Sequence, residues 1–358
     1  MVPWRLKAQR LVGPGLSQAG ELVSHLGAVQ SQDYGPAKWS IGQRSAGLTD
    51  PDLDRALADG EILRTHALRP TWHFLARDDI WWVQAATAAR VQARNASRYR
   101  QLGLDERTLG KANDLIGTAL VGGHQKTRRE IGALLEGAGI STEGQRLAYM
   151  LMNAELDCVI CSGALRGKQH TYALLTERAG RLALDDEEAL ARLTFTYFTG
   201  HGPATVKDLA AWASLRMADV KRGLGHASSR LQQRVIAGDT FWFVEGPPRG
   251  AARSPRVHLV HAYDEYIMGY KETRWFLDIS GMARRRWAAD MYPGVLLLDG
   301  QVAGTWKRTV QKDEIKIDVE TFHRMSDPEK AALEAEANRF GRFLGLPSVV
   351  EVSVRRGT

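Results

Sequence analysis

The sequence predicts an α+β protein of three tandem winged helix-turn-helix modules followed by a C-terminal β-barrel-like module. Three observations carry this expectation. At 358 residues the chain exceeds one ordinary domain of roughly 150 residues. A pattern of capped helix, second helix and β-hairpin recurs along it. After a Gly- and Pro-rich stretch at 246–250 the texture changes to short strands and one long helix.

The repeat is plainest in its second and third copies. Thr127 stands three residues before Glu130, and Thr205 three before Asp208. Each Thr opens an apolar-periodic stretch, as expected where a hydroxyl and an acidic side chain satisfy the first free N–H groups of a helix. In the second copy a Gly-rich turn at 137–139 leads to a helix over 142–156 and strands over 158–165 and 169–175. In the third a helix over 217–230 precedes strands over 233–237 and 240–245. Helices near 107–121 and 187–200 come before the two caps. Helix, helix and basic-tipped hairpin is the order of a winged helix-turn-helix.

The amino-terminal part reads the same way. Helices are expected over 17–28, 36–45 and 51–59, the last capped by Asp50 with Pro51 in its first turn. Strands follow over 61–65 and 71–76, and then a long helix over 80–100. The modules therefore span 1–100, 101–178 and 179–250, leaving 251–358 for the β-rich module. There, Asp299-Gly300 suits a tight hairpin turn, strands are expected over 304–310, 314–321 and 349–354, and a helix over 327–344.

Composition excludes a disordered or collagen-like chain, with 44% hydrophobic and 25% charged residues. No run reaches the roughly 18 apolar residues of a membrane span, and the start lacks the apolar core of a signal peptide. A cytoplasmic, nucleoid-associated protein with no membrane partner is expected. Lys and Arg number 48 against 41 acids, a net charge of +7 that favours a polyanion. Arg90, Arg94 and Arg98 recur every four residues with no acid on their helix, so they share one face suited to phosphates. Arg284–Arg286 and the pair Lys307 and Arg308 are weaker signals of the same kind. The second recognition helix carries only Arg146 as a cation, opposed by Glu143 and Glu155, so it is not a typical reader of base edges. Tandem modules without a dimerisation segment point to a monomer.

Familiar chemistry is missing. There is no Walker loop, dinucleotide fingerprint or H-E-x-x-H helix, so neither a metal nor an organic cofactor is expected. Cys158 and Cys161 read as packed thiols, and His258 and His261 as structural histidines. A polar cluster at 30–34 is unusual, because Gln30, Ser31, Gln32, Asp33 and Tyr34 directly follow an apolar helix. In an extended segment the carboxamides of Gln30 and Gln32 would point the same way. Taken alone, such a pair is more commonly structural than catalytic.

Residues 27–34, 64–74, 262–270 and 299–308 together resemble the AlkZ/YcaQ family of winged-helix bacterial DNA glycosylases, and the likeness spans nearly the whole chain. Gln30-x-Gln32 matches the Q-x-Q motif of the AlkZ-like branch rather than the Q-x-D motif of the YcaQ-like branch. The resemblance implies a C-shaped basic monomer and a catalytic pair, Gln30 and Gln32, with Asp33 adjoining it. It also implies excision of bulky or cationic N7-alkylated purines from double-stranded DNA, and unhooking of interstrand crosslinks of the azinomycin type. The hairpin bearing Arg69, Trp72 and His73 would meet the duplex near the lesion, with Arg90, Arg94, Arg98, Lys307 and Arg308 on phosphates. A crosslinked base stays tethered to the opposite strand, so an open cleft suits it better than a tight pocket.

The chemistry tolerates neutral side chains. An N7-alkylated purine is already cationic and leaves as a neutral base, so the demand falls on placing a water and stabilising an oxocarbenium-like sugar. The alternative is a winged-helix transcriptional regulator that binds DNA without chemistry. Incubation with N-methylated duplex separates the two: a glycosylase releases 7-methylguanine and leaves alkali-labile abasic sites, whereas a regulator binds without release.

Overall fold

Reciprocal side-chain caps fix where the modules begin. The Thr127 hydroxyl accepts from Glu130 N at 3.3 Å, and the Glu130 carboxylate accepts from Thr127 N at 2.7 Å, opening helix Arg128–Gly137. Thr205 and Asp208 repeat this at 3.2 and 3.1 Å before helix Val206–Trp212. At helix Asp50–Ala58 the cap is Thr49 and not Asp50, because the Asp52 carboxylate accepts from Thr49 N at 2.9 Å. Asp50 is instead held by Lys38 at 2.8 Å. The computed structural model describes residues 1–180, 185–244, 246, 254–279, 281 and 294–355. The Arg284–Arg286 cluster and all of the 246–250 linker but Gly246 lie outside these residues.

One order of elements recurs three times. It begins with helix Ala19–Leu26, strand Val29–Gln30, helices Tyr34–Gly42 and Asp50–Ala58, and hairpin strands Ile62–Ala67 and Thr71–Ala76. The last strand lies in the middle of the resulting sheet, with Gln30 opposite His73 and Thr65 opposite His73 on its other side. Next come helix Glu106–Leu120, strand Lys126–Thr127, helices Arg128–Gly137 and Arg146–Leu156, and strands Ile160–Ser162 and Thr171–Leu174, in the same sheet order. The third set is Asp186–His201, a bridge from Ala204 to Trp242, Val206–Trp212, Met217–Ala227, and strands Gln232–Ile236 and Asp239–Phe243. Helix Ile80–Gln101 joins the first set to the second. The helix expected from 142 starts only at Arg146, since Gly144 adopts φ +59, a left-handed conformation that breaks the turn before it.

The C-terminal strands Val257–Val260, Gly294–Leu298, Gln301–Val310, Ile315–Thr321 and Ser348–Val354 form one five-stranded sheet. Asp299 and Gly300 turn between the second and third at φ 49 and 77, the geometry of a two-residue hairpin loop. Helix Asp327–Leu344 connects to the parallel last strand and packs its Leu333, Ala337 and Phe340 on the sheet. Among the described residues this sheet has two end strands, Val257–Val260 and Ser348–Val354. No helix of the described residues is long and apolar enough to cross a membrane.

The modules share cores rather than standing as beads. Trp39, from the first set, lies between Phe340 and Phe343 of the C-terminal helix and donates its indole N–H to Leu259 O at 2.7 Å. Leu63, Leu75 and Trp82 join Leu193, Tyr197 and Trp212 of the third set in a second core. An unanticipated helix, Val2–Ala8, adds a further tie. Its fully buried Arg5 donates to Pro203 O at 3.0 Å and Thr273 O at 3.2 Å, and lies 3.8 Å from the centre of the Tyr270 ring.

Arg44 is a buried charge with every N–H group satisfied. It pairs bidentately with Asp264 at 2.6 and 2.8 Å, and also donates to Gln9 O, Gln9 Oε1 and Ser40 O. Both partners are fully buried, so removing one leaves the other uncompensated. Arg44→Ala is expected to lower unfolding free energy by about 3–5 kcal/mol, read as a fall in the urea midpoint.

Candidate active site

The short strand Val29–Gln30 places the glutamine pair against the first hairpin. Gln30 is buried, 5% exposed, while Gln32 lies exposed beyond the strand end. Both carboxamide oxygens receive N–H groups from the hairpin. Arg69 Nη2 reaches Gln30 Oε1 at 2.9 Å, and Trp72 N reaches Gln32 Oε1 at 3.4 Å. A guanidinium only donates, so the Gln30 atom facing Arg69 has to be the oxygen. Its amide nitrogen has no hydrogen-bond partner among the described residues.

Arg69 is itself fixed from three directions. Beside Gln30 it donates to Trp212 O at 2.9 Å and meets His73 Nε2 at 3.2 Å. His73 Nδ1 faces Thr71 O at 3.0 Å, so Nδ1 carries the proton and Nε2 accepts from Arg69. Burial, and then the Arg69 charge, hold the His73 ring down at about 3. Burial also lowers Arg69, opposed by the charge of Glu265.

Glu265 anchors the glutamine from behind. Its Oε1 accepts from Gln30 N at 3.0 Å, and its Oε2 accepts from the Trp212 indole at 2.8 Å and lies 3.4 Å from His201 Nε2. Burial works against this charge. The hydrogen bond and charge of His201, then Arg69 and the Gln30 N–H, nevertheless hold the carboxyl at about 2. On the other side of the hairpin, Glu155 binds His66 Nδ1 and the Trp72 indole, the latter at 3.2 Å. Arg64 lies 4.4 Å from the Trp72 ring centre and donates to Ser31 O at 3.0 Å, pinning the residue between the two glutamines.

Arg69 and Trp72 are part-buried at this site, and His73 is fully buried, so it faces Arg69 rather than solvent. Arg94 and Arg98 run outward along helix Ile80–Gln101. Arg94 donates to Ser214 Oγ at 3.1 Å and Arg98 to Gln145 Oε1 at 2.6 Å, with no carboxylate partner among the described residues. Arg90 is half-buried, and its Nε has no partner there. Lys307 and Arg308, adjacent on a strand, face opposite sides of the sheet. Lys307 is exposed. Arg308 turns inward to Phe340, 5.6 Å from its ring centre, and is held down by burial against the charges of Asp33 and Asp50.

The family described as DNA glycosylase AlkZ-like matches residues 23–343. The chain belongs to the AlkZ-like DNA glycosylase family. Its enzyme class is that of a hydrolase acting on N-glycosyl bonds. An interstrand DNA cross-link repair glycosylase of Streptomyces sahachiroi is 24% identical over 321 residues, 85% of this chain and 86% of that protein. The solved Streptomyces sahachiroi DNA glycosylase AlkZ shares the fold, with a TM-score of 0.79 at 21% identity over 98% of each chain.

Within this AlkZ-like chain, sequence reasoning missed Glu265, Trp212, Arg64, His66 and Glu155. Glu265 left a trace: an acid inside an aromatic run with Tyr263, Tyr266 and Tyr270. Glu155 was expected to oppose Arg146, but it is 1% exposed and turned to His66 and Trp72. The two thiols are packed as expected. Burial pushes Cys161 up to about 12 and, with Asp157, Cys158 to about 11.

His73 and Glu265 give the site a pH signature. Between about pH 6.5 and 3 the unfolded chain binds a proton at His73 that the folded chain refuses, so stability falls as pH drops through that window. Glu265 adds stability that is full above about pH 4.5 and is lost as pH falls towards 2. The urea midpoint should therefore fall from pH 7 to pH 4, and fall less in His73→Asn.

Proposed function

We propose that this chain hydrolyses the N-glycosidic bond of bulky or cationic N7-alkylated purines in double-stranded DNA, and unhooks interstrand crosslinks through the same chemistry. The observation that carries the reading is the Gln30–Arg69 hydrogen bond of 2.9 Å, which holds an uncharged carboxamide rigidly beside an exposed second one, Gln32. The cross-link repair activity named for the Streptomyces sahachiroi relative agrees with it.

In this reading the cationic purine departs as a neutral base, so no general acid is required. Gln32 Oε1, engaged only by a long contact to Trp72 N, accepts a hydrogen bond from the attacking water and turns its dipole towards C1′. Gln30, its oxygen committed to Arg69, leaves its amide N–H groups to donate to a backbone oxygen of the bound nucleotide. Neither group is basic enough to remove the proton before the glycosidic bond breaks. The full burial of His73 makes it a positioning residue for Arg69, and Arg69 one for Gln30.

Three winged-helix modules, spanning 1–100, 101–178 and 179–250, and a β-barrel-like module over 251–358 would form a C-shaped monomer around the duplex. Arg90, Arg94 and Arg98 would track phosphates between the second and third modules, and the exposed Lys307 would reach a phosphate from the C-terminal sheet, whereas Arg308 is turned to Phe340. Trp72 would stand nearest the lesion.

Two tests follow. Replacing both Gln30 and Gln32 by Ala should cut release of 7-methylguanine on the order of 100-fold or more while leaving duplex affinity nearly unchanged; equal release by variant and parent contradicts the reading. Arg94→Gln with Arg98→Gln should instead weaken duplex binding and reduce the slope of log affinity against log salt by about 0.9 for each phosphate no longer neutralised. Single-turnover release at saturating enzyme should then match the parent.

A further inference from the structure

A second cleft lies at the far end of helix Tyr34–Gly42 from the glutamine pair. It is an open depression of about 570 Å³ between the loops at 10–15 and 43–45, the strand Val257–Val260, and helix Asp327–Leu344. That is the size of an ordinary small-molecule site.

Its wall is cationic. Of the arginines lining it, Arg44 is neutralised by Asp264, and Arg339 faces Glu336 at 3.7 Å. Arg10, Arg256 and Arg342 line the same cleft with no side-chain ion pair or hydrogen bond to other described residues. Arg10 adopts φ +57, the left-handed region that a non-glycine residue rarely occupies.

The floor holds polar atoms without partners. Both ring nitrogens of His258, Glu336 Oε1 and Gln43 Oε1 are buried and unbonded among the described residues. Their residues are 5%, 7% and 1% exposed. Buried polar atoms almost always have a partner, so four on residues lining one cleft point to a ligand that supplies them once the side chains turn to it. Burial, then Arg339, Arg44 and Arg256, hold His258 at about 4, so its ring is neutral and offers one donor and one acceptor. Burial raises Glu336 to about 7, which lets it donate as well as accept near neutrality.

We propose that this cleft binds a free phosphate ester of nucleotide size, with the phosphate on Arg10, Arg256 and Arg342 and the hydrogen-bonding remainder on Gln43, His258 and Glu336. A bare anion would leave the floor atoms unpaired, and an uncharged nucleoside would leave the three arginines unused.

Calorimetric titration of the full chain with adenosine 5′-monophosphate, adenosine and inorganic phosphate tests the assignment. The nucleotide should bind at least about tenfold more tightly than either fragment. Arg256→Ala with Arg342→Ala should weaken it by about tenfold or more, Glu336→Ala should weaken it with the fold intact by circular dichroism, and Gln30→Ala should leave it unchanged. An unmodified duplex should not displace it. No heat at about 10 mM nucleotide, equal affinity for inorganic phosphate, indifference to the arginine substitutions, or displacement by duplex would each overturn the proposal.

Discussion

One buried carboxylate ties the site together. Glu265, fully buried in the C-terminal part, accepts from the backbone of Gln30 in the first repeat and the indole of Trp212 in the third, and faces His201 at 3.4 Å. Three regions distant in sequence thus converge on one charge. The preceding residue, Asp264, carries the bidentate Arg44 pair, which fixes the end of helix Tyr34–Gly42. Burying two adjacent carboxylates is costly unless each is paired and hydrogen-bonded, and here both are. The position of Gln30 is therefore set by the assembly of the whole chain and not by its own strand of two residues.

The same arrangement separates grip from chemistry. The cation nearest the glutamines, Arg69, feels the opposing charge of Glu265 and is spent on Gln30 Oε1 and Trp212 O. A free cation there would repel both a cationic purine and an oxocarbenium-like sugar. Arg94 and Arg98 lie farther out along helix Ile80–Gln101, bonded only to neutral groups. In the proposed function, part of the modest excess charge would lie along phosphates, and the reacting centre would be left to dipoles.

Local structure was readable in the sequence because local chemistry sets it. The reciprocal caps at Thr127 and Thr205, the Asp299-Gly300 turn and the helix Asp327–Leu344 all lie where spacing alone puts them. The glutamine pair stands out locally as part of an unusual polar cluster, but its catalytic role comes only through a family resemblance, since two carboxamides carry no local signal of function. Alternation told half the story. Both oxygens turn to the same hairpin, but only Gln30 is buried, because pairing with the central strand ends at His73. Glu265 left only a faint trace, and the roles of Glu155 and Arg44 were not legible at all. Their meaning rests on partners 235, 89 and 220 positions away, and no period or propensity encodes such distances.

If Gln30 is catalytic, Glu265 acts on the reaction by holding it in place. A double-mutant cycle on single-turnover release of 7-methylguanine tests it, comparing Glu265→Gln, Gln30→Ala and the double variant at saturating enzyme. Strong non-additivity is expected, with the double variant no slower than Gln30→Ala alone. Fully additive losses would mean that Glu265 supports activity by a route that bypasses Gln30, and would contradict it.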